Sequence, residues 1–307
     1  MKILLFAQDS PLKLFRHGPL GAEQPGLMDA SGGLRDLTGV VADICCATLA
    51  ADSMARLAAL NPTTLPRVPP GTRLGACVAQ VGTVIGIGLN YADHAAEAGL
   101  QPPGQPIVFN KHRGAVCGPN DDVWLPPGSL KLDWEVELGI VIGQRAFQVN
   151  EAEALHHVAG YCLVNDVSER AWQMEREGQW AKGKSYPTHC PMGPWLVTPD
   201  ELGDPQQVDL WLDVNGQPRQ RGNTRTMIFS VAHIVSYLSQ FMALEPGDLI
   251  ATGTPPGVGM GMKPPTFLQA GDVVTLGGSG LGEQRQTVVA TPSQPGAGTR
   301  SGGGKVA

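Results

Sequence analysis

Leu132-Asp133-Trp134-Glu135-Val136-Glu137-Leu138-Gly139-Ile140-Val141-Ile142-Gly143 is the stretch whose reading decides the fold. Trp134, Val136, Leu138, Ile140 and Ile142 alternate with Glu135 and Glu137. The period of two of a strand puts the apolar side chains on one face and both carboxylates on the other. Two carboxylates one pleat apart repel each other unless a cation sits between them. A hard divalent ion such as Mg2+ takes oxygen ligands of this kind and usually keeps waters as well. The segment reads as half of a metal site on a rigid strand, and the chain as an enzyme.

Asp166 adds a third carboxylate at the end of a strand predicted over 160–164. From there it can point across a sheet towards Glu135 and Glu137. Three carboxylates plus waters would complete an octahedral Mg2+ or Mn2+ site. A solvated strand face and a turn aspartate would give the same letters. His94 and Glu97 are three apart on a short helix predicted after Asn90, so they share a face. Such a pair can act as a base, with the carboxylate orienting the imidazole. A surface histidine beside a surface glutamate is the alternative. Arg170 and Gln173 have the same spacing and closely follow Asp166; Lys184 stands in a short Gly-containing stretch after them. They could supply donors for a carboxylate or an oxyanion, or form a solvated basic loop. The hydroxyls and N–H groups of the turn Thr252-Gly253-Thr254-Pro255 could hold an anion.

The rest of the chain sets the frame. Its 307 residues are 42% hydrophobic and 16% charged, enough to bury a sizeable core. Gly 40 and Pro 26 point to many turns and to strands rather than a helix bundle. The net charge of −6, with no basic run, argues against nucleic acid as a partner. No apolar stretch is long enough to span a bilayer. Met1-Lys2-Ile3-Leu4-Leu5-Phe6-Ala7 reads as a first strand rather than a signal peptide. The six cysteines show no CxxC pair and no zinc-type spacing, so free thiols in a reducing cytoplasm are expected. There is no nucleotide-binding glycine fingerprint after a strand and no GxSxG elbow.

Residues 1–70 read as a small N-terminal domain, strand-rich with a helix over 47–60. Residues 75–291 read as the catalytic domain, and 292–307 as a disordered tail. Within the catalytic part, strands are expected over 84–89, 107–109, 123–125, 210–214, 248–251 and 272–276. Helices are expected over 151–158, 168–175 and 231–242, the last capped by Ser230.

These segments, in this order, resemble the fumarylacetoacetate hydrolase family. The matching stretches are Gly88-Leu89-Asn90-Tyr91 with His94 and Glu97, Asp133 to Leu138, Asn165-Asp166-Val167-Ser168, Gln179-Trp180 with Gly183-Lys184-Ser185, Met227-Ile228-Phe229, Pro246-Gly247-Asp248 and Thr252-Gly253-Thr254-Pro255. The look is closest to the branch of 2,4-diketo-3-deoxy sugar acid and acylpyruvate hydrolases. The resemblance implies a β-rich α+β fold, a mixed β-roll with a small N-terminal domain, and a cytoplasmic homodimer. It implies a divalent metal on Glu135, Glu137 and Asp166. It also implies that His94 and Glu97 lie on a lid and activate water, that Lys184 stabilises developing negative charge, and that Tyr91, Arg170, Gln173 and Thr254 contact substrate. The implied reaction is hydrolysis of the C–C bond of a 2,4-diketo acid to pyruvate and an acid. Decarboxylation or keto–enol isomerisation of a 2-keto dicarboxylic acid would use the same site.

Two stretches depart from the family pattern, Asn110-Lys111-His112-Arg113-Gly114 and Tyr186-Pro187-Thr188-His189-Cys190. They add Arg113 and His189 as expected substrate contacts, for a substrate with an extra anionic or polar group. Repacking of a dimer edge is the alternative reading of the same residues.

Overall fold

The run quoted above is divided in two in the computed structural model, which describes residues 11–292 apart from 98 and 100, and only the backbone of 94–96. Leu132–Asp133 pairs with Ser168–Glu169, and Val136–Ile142 forms a separate strand. Between them Glu135 bonds across to the other chain segment: its carbonyl accepts from Asp166 N (2.9 Å) and its N–H donates to Asn165 Oδ1 (3.2 Å). The single strand expected over 132–143 is corrected accordingly.

Val136–Ile142 lies between Val158–Asn165 and Leu249–Ala251, antiparallel to both. They belong to an eleven-stranded sheet with the order Leu34–Asp36, Gln24–Met28, Lys13–His17, Cys190–Val197, Val158–Asn165, Val136–Ile142, Leu249–Ala251, Val84–Gly88, Ile107–Lys111 along its main path. The Leu249–Ala251 and Val84–Gly88 pair is parallel, so the sheet is mixed. A second sheet of five strands runs Gln217–Asn223, Asp209–Val214, Val273–Gly278, Gly282–Ala290, Val123–Leu125. Asn215 and Gly216 join its first two strands with φ of 53° and 71°, the positive values a type I′ turn requires.

The central strand is buried on both faces, not half exposed. Val136, Leu138, Ile140 and Ile142 share a core with Leu210, Leu212, Val274 and Leu276 of the second sheet and with Ile234 and Leu238 of the helix Val231–Ser239. Val141 faces a second core, with Leu14, Leu27, Met54 and Leu57 from the N-terminal segment. Each such side chain contributes roughly 1.5–3 kcal/mol on burial. A one-residue slip would bury Glu137 in the first core, so the register is firmly set. Gly139 follows Glu137 on the acid face. A Cβ there would lie 2.8 Å from Val164 Cγ2 and 3.0 Å from Cys162 Sγ, so only glycine lets the strands close. The acid face is therefore polar only at its first half, where a cavity opens.

Lys13–His17 is hydrogen-bonded to Cys190–Val197, so the N-terminal segment extends the large sheet. Its helix is shorter than expected, Ala51–Ala58. The expected helix over 151–158 is Glu151–Ala154 with a following turn, and Val158 already belongs to the next strand. Ser230 caps Val231–Ser239 through Oγ, which accepts from His233 N at 3.1 Å. The expected first strand at Met1–Ala7 and the tail from 293 onward lie outside the described residues. The six cysteines are free thiols. Among the described residues no helix is long and apolar enough to cross a membrane.

Candidate active site

Antiparallel register brings the acids together. Asn165 stands opposite Val136. Asp166, the next residue, therefore falls beside Glu135 and Glu137. All three are buried. One carboxylate oxygen from each can be chosen so that the three lie within 4.8 Å of one another.

Three cations surround them. Lys184 Nζ donates to Glu135 Oε2 (2.6 Å) and to Asp166 Oδ2 (2.7 Å). It also sits 4.9 Å over the Phe109 ring. Arg170 donates through Nη2 to Glu135 Oε1 (2.6 Å), through Nε to Asp133 Oδ2 (2.8 Å) and through Nη1 to Gln173 Oε1 (2.9 Å). Lys111 Nζ bonds Asp166 Oδ1 and, at 3.2 Å, the carbonyl of Val167. The helix Arg170–Met174 that carries Arg170 and Gln173 starts after Glu169, whose carboxylate accepts from Trp172 N.

Lys111 and Asp133 were not foreseen as site residues. Lys111 does carry a legible signal: it lies two residues after Phe109 on the strand Ile107–Lys111, hence on the same buried face. A lysine on a buried face needs an anion.

Glu97 ends the helix Ala92–Glu97, and its Oε2 accepts from Gly257 N at 3.0 Å. The chain reaches this helix through Leu89, held at φ 52°, and through Asn90. The Asn90 side chain donates to the carbonyls of Thr252 (2.8 Å) and Phe229 (3.1 Å) and accepts from Phe229 N (2.8 Å). The His94 side chain lies outside the described residues.

A cavity of about 540 Å3 opens over the acids. Its lining includes Glu97, Glu135, Glu137, Asp166, Arg170, Gln173, Lys184 and Thr254, with Phe109, Trp180, Val258 and three methionines as apolar wall. The structure thus brings together eight of the expected residues on one cavity. The Thr254 hydroxyl donates to Val136 O (2.9 Å) and accepts from Gln220 Nε2 (2.7 Å), which fixes its turn against the acid strand.

Three other expected contacts lie away from this cavity. Tyr91, Arg113 and His189 are absent from that lining. Tyr91 is fully buried, and its hydroxyl has no hydrogen-bond partner among the described residues. Burial first, then the negative charges of Glu137 and Asp93, pushes its pKa well up. Arg113 lines a separate surface groove with Arg16 and Arg73. His189 is buried against Trp124, whose carbonyl meets Nε2 at 2.9 Å.

The charges balance only while Glu137 keeps its proton. With Glu137 ionised, four buried carboxylates (Asp133, Glu135, Glu137, Asp166) face three cations (Lys111, Arg170, Lys184), which leaves one negative charge. Burial opposes ionisation of Glu135, but Arg170 and Lys184 more than offset it and hold this carboxyl well below the usual range. Glu137 goes the other way, driven up by burial and then by Asp166 and Glu135. Its recorded hydrogen bond is from Gly253 N (2.8 Å). Burial disfavours the charge on Lys184, yet Asp166 and Glu135 outweigh that and raise its pKa. Each carboxylate keeps lone pairs beyond the bonds named here. The all-oxygen donor set, and the charge that Glu137 gains when it gives up its proton, therefore fit a hard divalent cation.

The model for the C-terminal domain of fumarylacetoacetate hydrolase matches residues 83–289, and this chain belongs to that family. A Burkholderia ambifaria protein whose name says only that it is a candidate hydrolase is 60% identical over 90% of this chain and 98% of its own length. Among solved structures, the 5-carboxymethyl-2-hydroxymuconate delta-isomerase of Mycobacterium smegmatis is 32% identical, with a TM-score of 0.72 over 92% of this chain and all of its own. The maleylpyruvate hydrolase of Sphingobium sp. SYK-6, solved with manganese(II) and pyruvate, is 28% identical, with a TM-score of 0.75 over 91% of this chain and all of its own. The family is one of hydrolases and isomerases, and its neighbours include a metal-bound member.

Proposed function

We propose that the chain is a divalent-metal-dependent hydrolase that cleaves the C–C bond of a 2,4-diketo acid of the acylpyruvate type, releasing pyruvate and a carboxylic acid. The observation that carries this reading is the buried Glu135, Glu137 and Asp166 cluster at the bottom of a cavity that Glu97 and Lys184 also line. The manganese and pyruvate in the Sphingobium neighbour support the same reading.

Glu135, Glu137 and Asp166 would hold Mg2+ or Mn2+, which when bound supplies positive charge towards the 2-keto acid end of the substrate. Arg170 and Gln173 orient the substrate carboxylate, and Thr254 bounds the opposite wall. His94, oriented by Glu97, takes a proton from water, whose oxygen adds to the distal carbonyl carbon. The bond between that carbon and the adjacent methylene then breaks, and its electron pair stays with the pyruvate fragment. Lys184 stabilises the negative charge that forms there. The proton that His94 took from water passes to the methylene carbon, which completes pyruvate and restores the neutral imidazole. Closure of the Ala92–Glu97 helix over the cavity keeps bulk water out of these steps.

The test is pyruvate release from acetylpyruvate, coupled to lactate dehydrogenase. Release should need Mg2+ or Mn2+, stop with EDTA and fall sharply in His94→Ala. The isomerase neighbour favours a second reading on the same residues, keto–enol isomerisation or decarboxylation of a 2-keto dicarboxylic acid. Release of the acyl fragment as a carboxylate carrying 18O from labelled water separates the two, since neither isomerisation nor decarboxylation forms that carboxylate. The family resemblance also supports a homodimer in the cytoplasm, which light scattering and cell fractionation would check.

A further inference from the structure

The cations on the floor of the cavity are all engaged. Arg170 and Lys184 are both ion-paired to its carboxylates. Lys263 is the remaining cation of the lining, and no carboxylate lies within ion-pair distance of it among the described residues. It is exposed, so it stands at the cavity mouth rather than the floor.

Its position is set by the fold. Gly259 N and Met260 N donate to the two oxygens of Asp133 at 2.7 and 3.0 Å. Thr266 N donates to Gly259 O at 3.0 Å, and Leu268 N to Leu132 O at 2.8 Å. Pro264 and Pro265 follow Lys263 and restrict the backbone further. The loop that bears the lysine is therefore anchored by the same aspartate that holds Arg170.

Between floor and mouth the wall is apolar: Phe109, Trp180, Val258 and Met262. A three-carbon keto acid at the floor would leave most of the roughly 540 Å3 unfilled. We propose that Lys263 is a specificity-determining residue that pairs with an anionic group at the far end of the substrate. The substrate would be a 2-keto acid whose apolar spacer lies along the Trp180 wall and whose second carboxylate reaches the mouth. An extra anionic group was expected from Arg113 and His189. The geometry moves its recognition to Lys263. This rests on the 2-keto acid reading of the floor.

Binding tests it without turnover. Quenching of tryptophan fluorescence, with Trp180 in the cavity wall, would be titrated in Mg2+ with 2-oxoadipate and with 2-oxohexanoate. The two differ only in the distal carboxylate. The wild-type protein should prefer 2-oxoadipate about tenfold or more, and the preference should collapse towards unity in Lys263→Met and reverse in Lys263→Glu. Lys263→Arg should keep it. No preference in the wild type, or one unchanged in Lys263→Met, overturns the proposal. Failure to bind either keto acid, with Mg2+ bound, would overturn both this proposal and the floor reading. Discrimination without any turnover of acylpyruvates would sink the hydrolase reading and leave Lys263 standing.

Discussion

Arg170 Nε donates to Asp133 Oδ2 at 2.8 Å, and this pair ties the floor of the cavity to its mouth. The other side of Arg170 holds Glu135, while Asp133 also accepts from Gly259 N and Met260 N. One buried carboxylate thus sets both the guanidinium beside the acid cluster and the loop that bears Lys263. Removing one partner of a buried pair leaves the other charge uncompensated and costs about 3–5 kcal/mol. Asp133→Ala should lose stability on that order in urea unfolding and lose activity with it. Asp133→Asn, which keeps the shape, should lose less stability.

Metal binding should depend on Glu137 in particular. Among the described residues this carboxylate has the acid neighbours but none of the ion pairs that Glu135 and Asp166 make. Mn2+ titration followed by EPR should show one site per chain in the wild type and none at millimolar Mn2+ in Glu137→Gln. Binding should also stabilise the fold, by about 2.7 kcal/mol at a hundred times Kd.

Lys111 never reaches the cavity, yet it holds Asp166 from behind. Loss of such an outer partner typically costs 10–100-fold in metal affinity. Lys111→Met should weaken Mn2+ binding roughly within that range, with Lys111→Arg falling short of it. Equal Mn2+ affinity in Lys111→Met and wild type would show that Lys111 only fills space.

The base should show in kcat. Glu97→Gln and His94→Ala should each lower kcat by about 10²–10⁴ with little change in KM, the signature of a group used in the transition state. A rise in KM at constant kcat would instead make Glu97 a clamp on the Gly257 loop.

His189 predicts part of the acid sensitivity. Burial holds its pKa down to about 3, against 6.5 for an ordinary histidine. Below pH 6.5 the unfolded chain binds a proton that the native chain refuses until about pH 3. The contribution of this group is therefore whole above pH 6.5 and is lost as pH falls towards 3. Over the full window it amounts to about 5 kcal/mol. His189→Gln should flatten the stability profile between pH 6 and 4, measured by urea unfolding.

The site was legible where chemistry repeats locally. Glu135 and Glu137 were found by strand period, and Asp166 by its place at a strand end. The double burial of Val136–Ile142 was not, because alternation of apolar residues with acids reads like a half-exposed strand. Only tertiary packing shows that the acids face a cavity and Val141 a second core. Arg113 and His189 lie away from the cavity, because unusual residues beside a matched motif need not share its face. His189 is buried against Trp124, while Arg113, in the turn after the strand Ile107–Lys111, lines the other groove. Lys263 carries no local signal at all: its meaning comes from Asp133, 130 positions earlier in the chain by subtraction of the two numbers.

The central claim is C–C hydrolysis on the acid cluster, and proton NMR in D2O tests it most directly. The purified protein would be incubated with Mg2+ and acetylpyruvate, and separately with oxaloacetate. Pyruvate and acetate should grow in equal amounts from acetylpyruvate and vanish with EDTA. Intact acetylpyruvate beside deuterium exchange or CO2 loss from oxaloacetate would contradict hydrolysis and assign the site to isomerisation or decarboxylation.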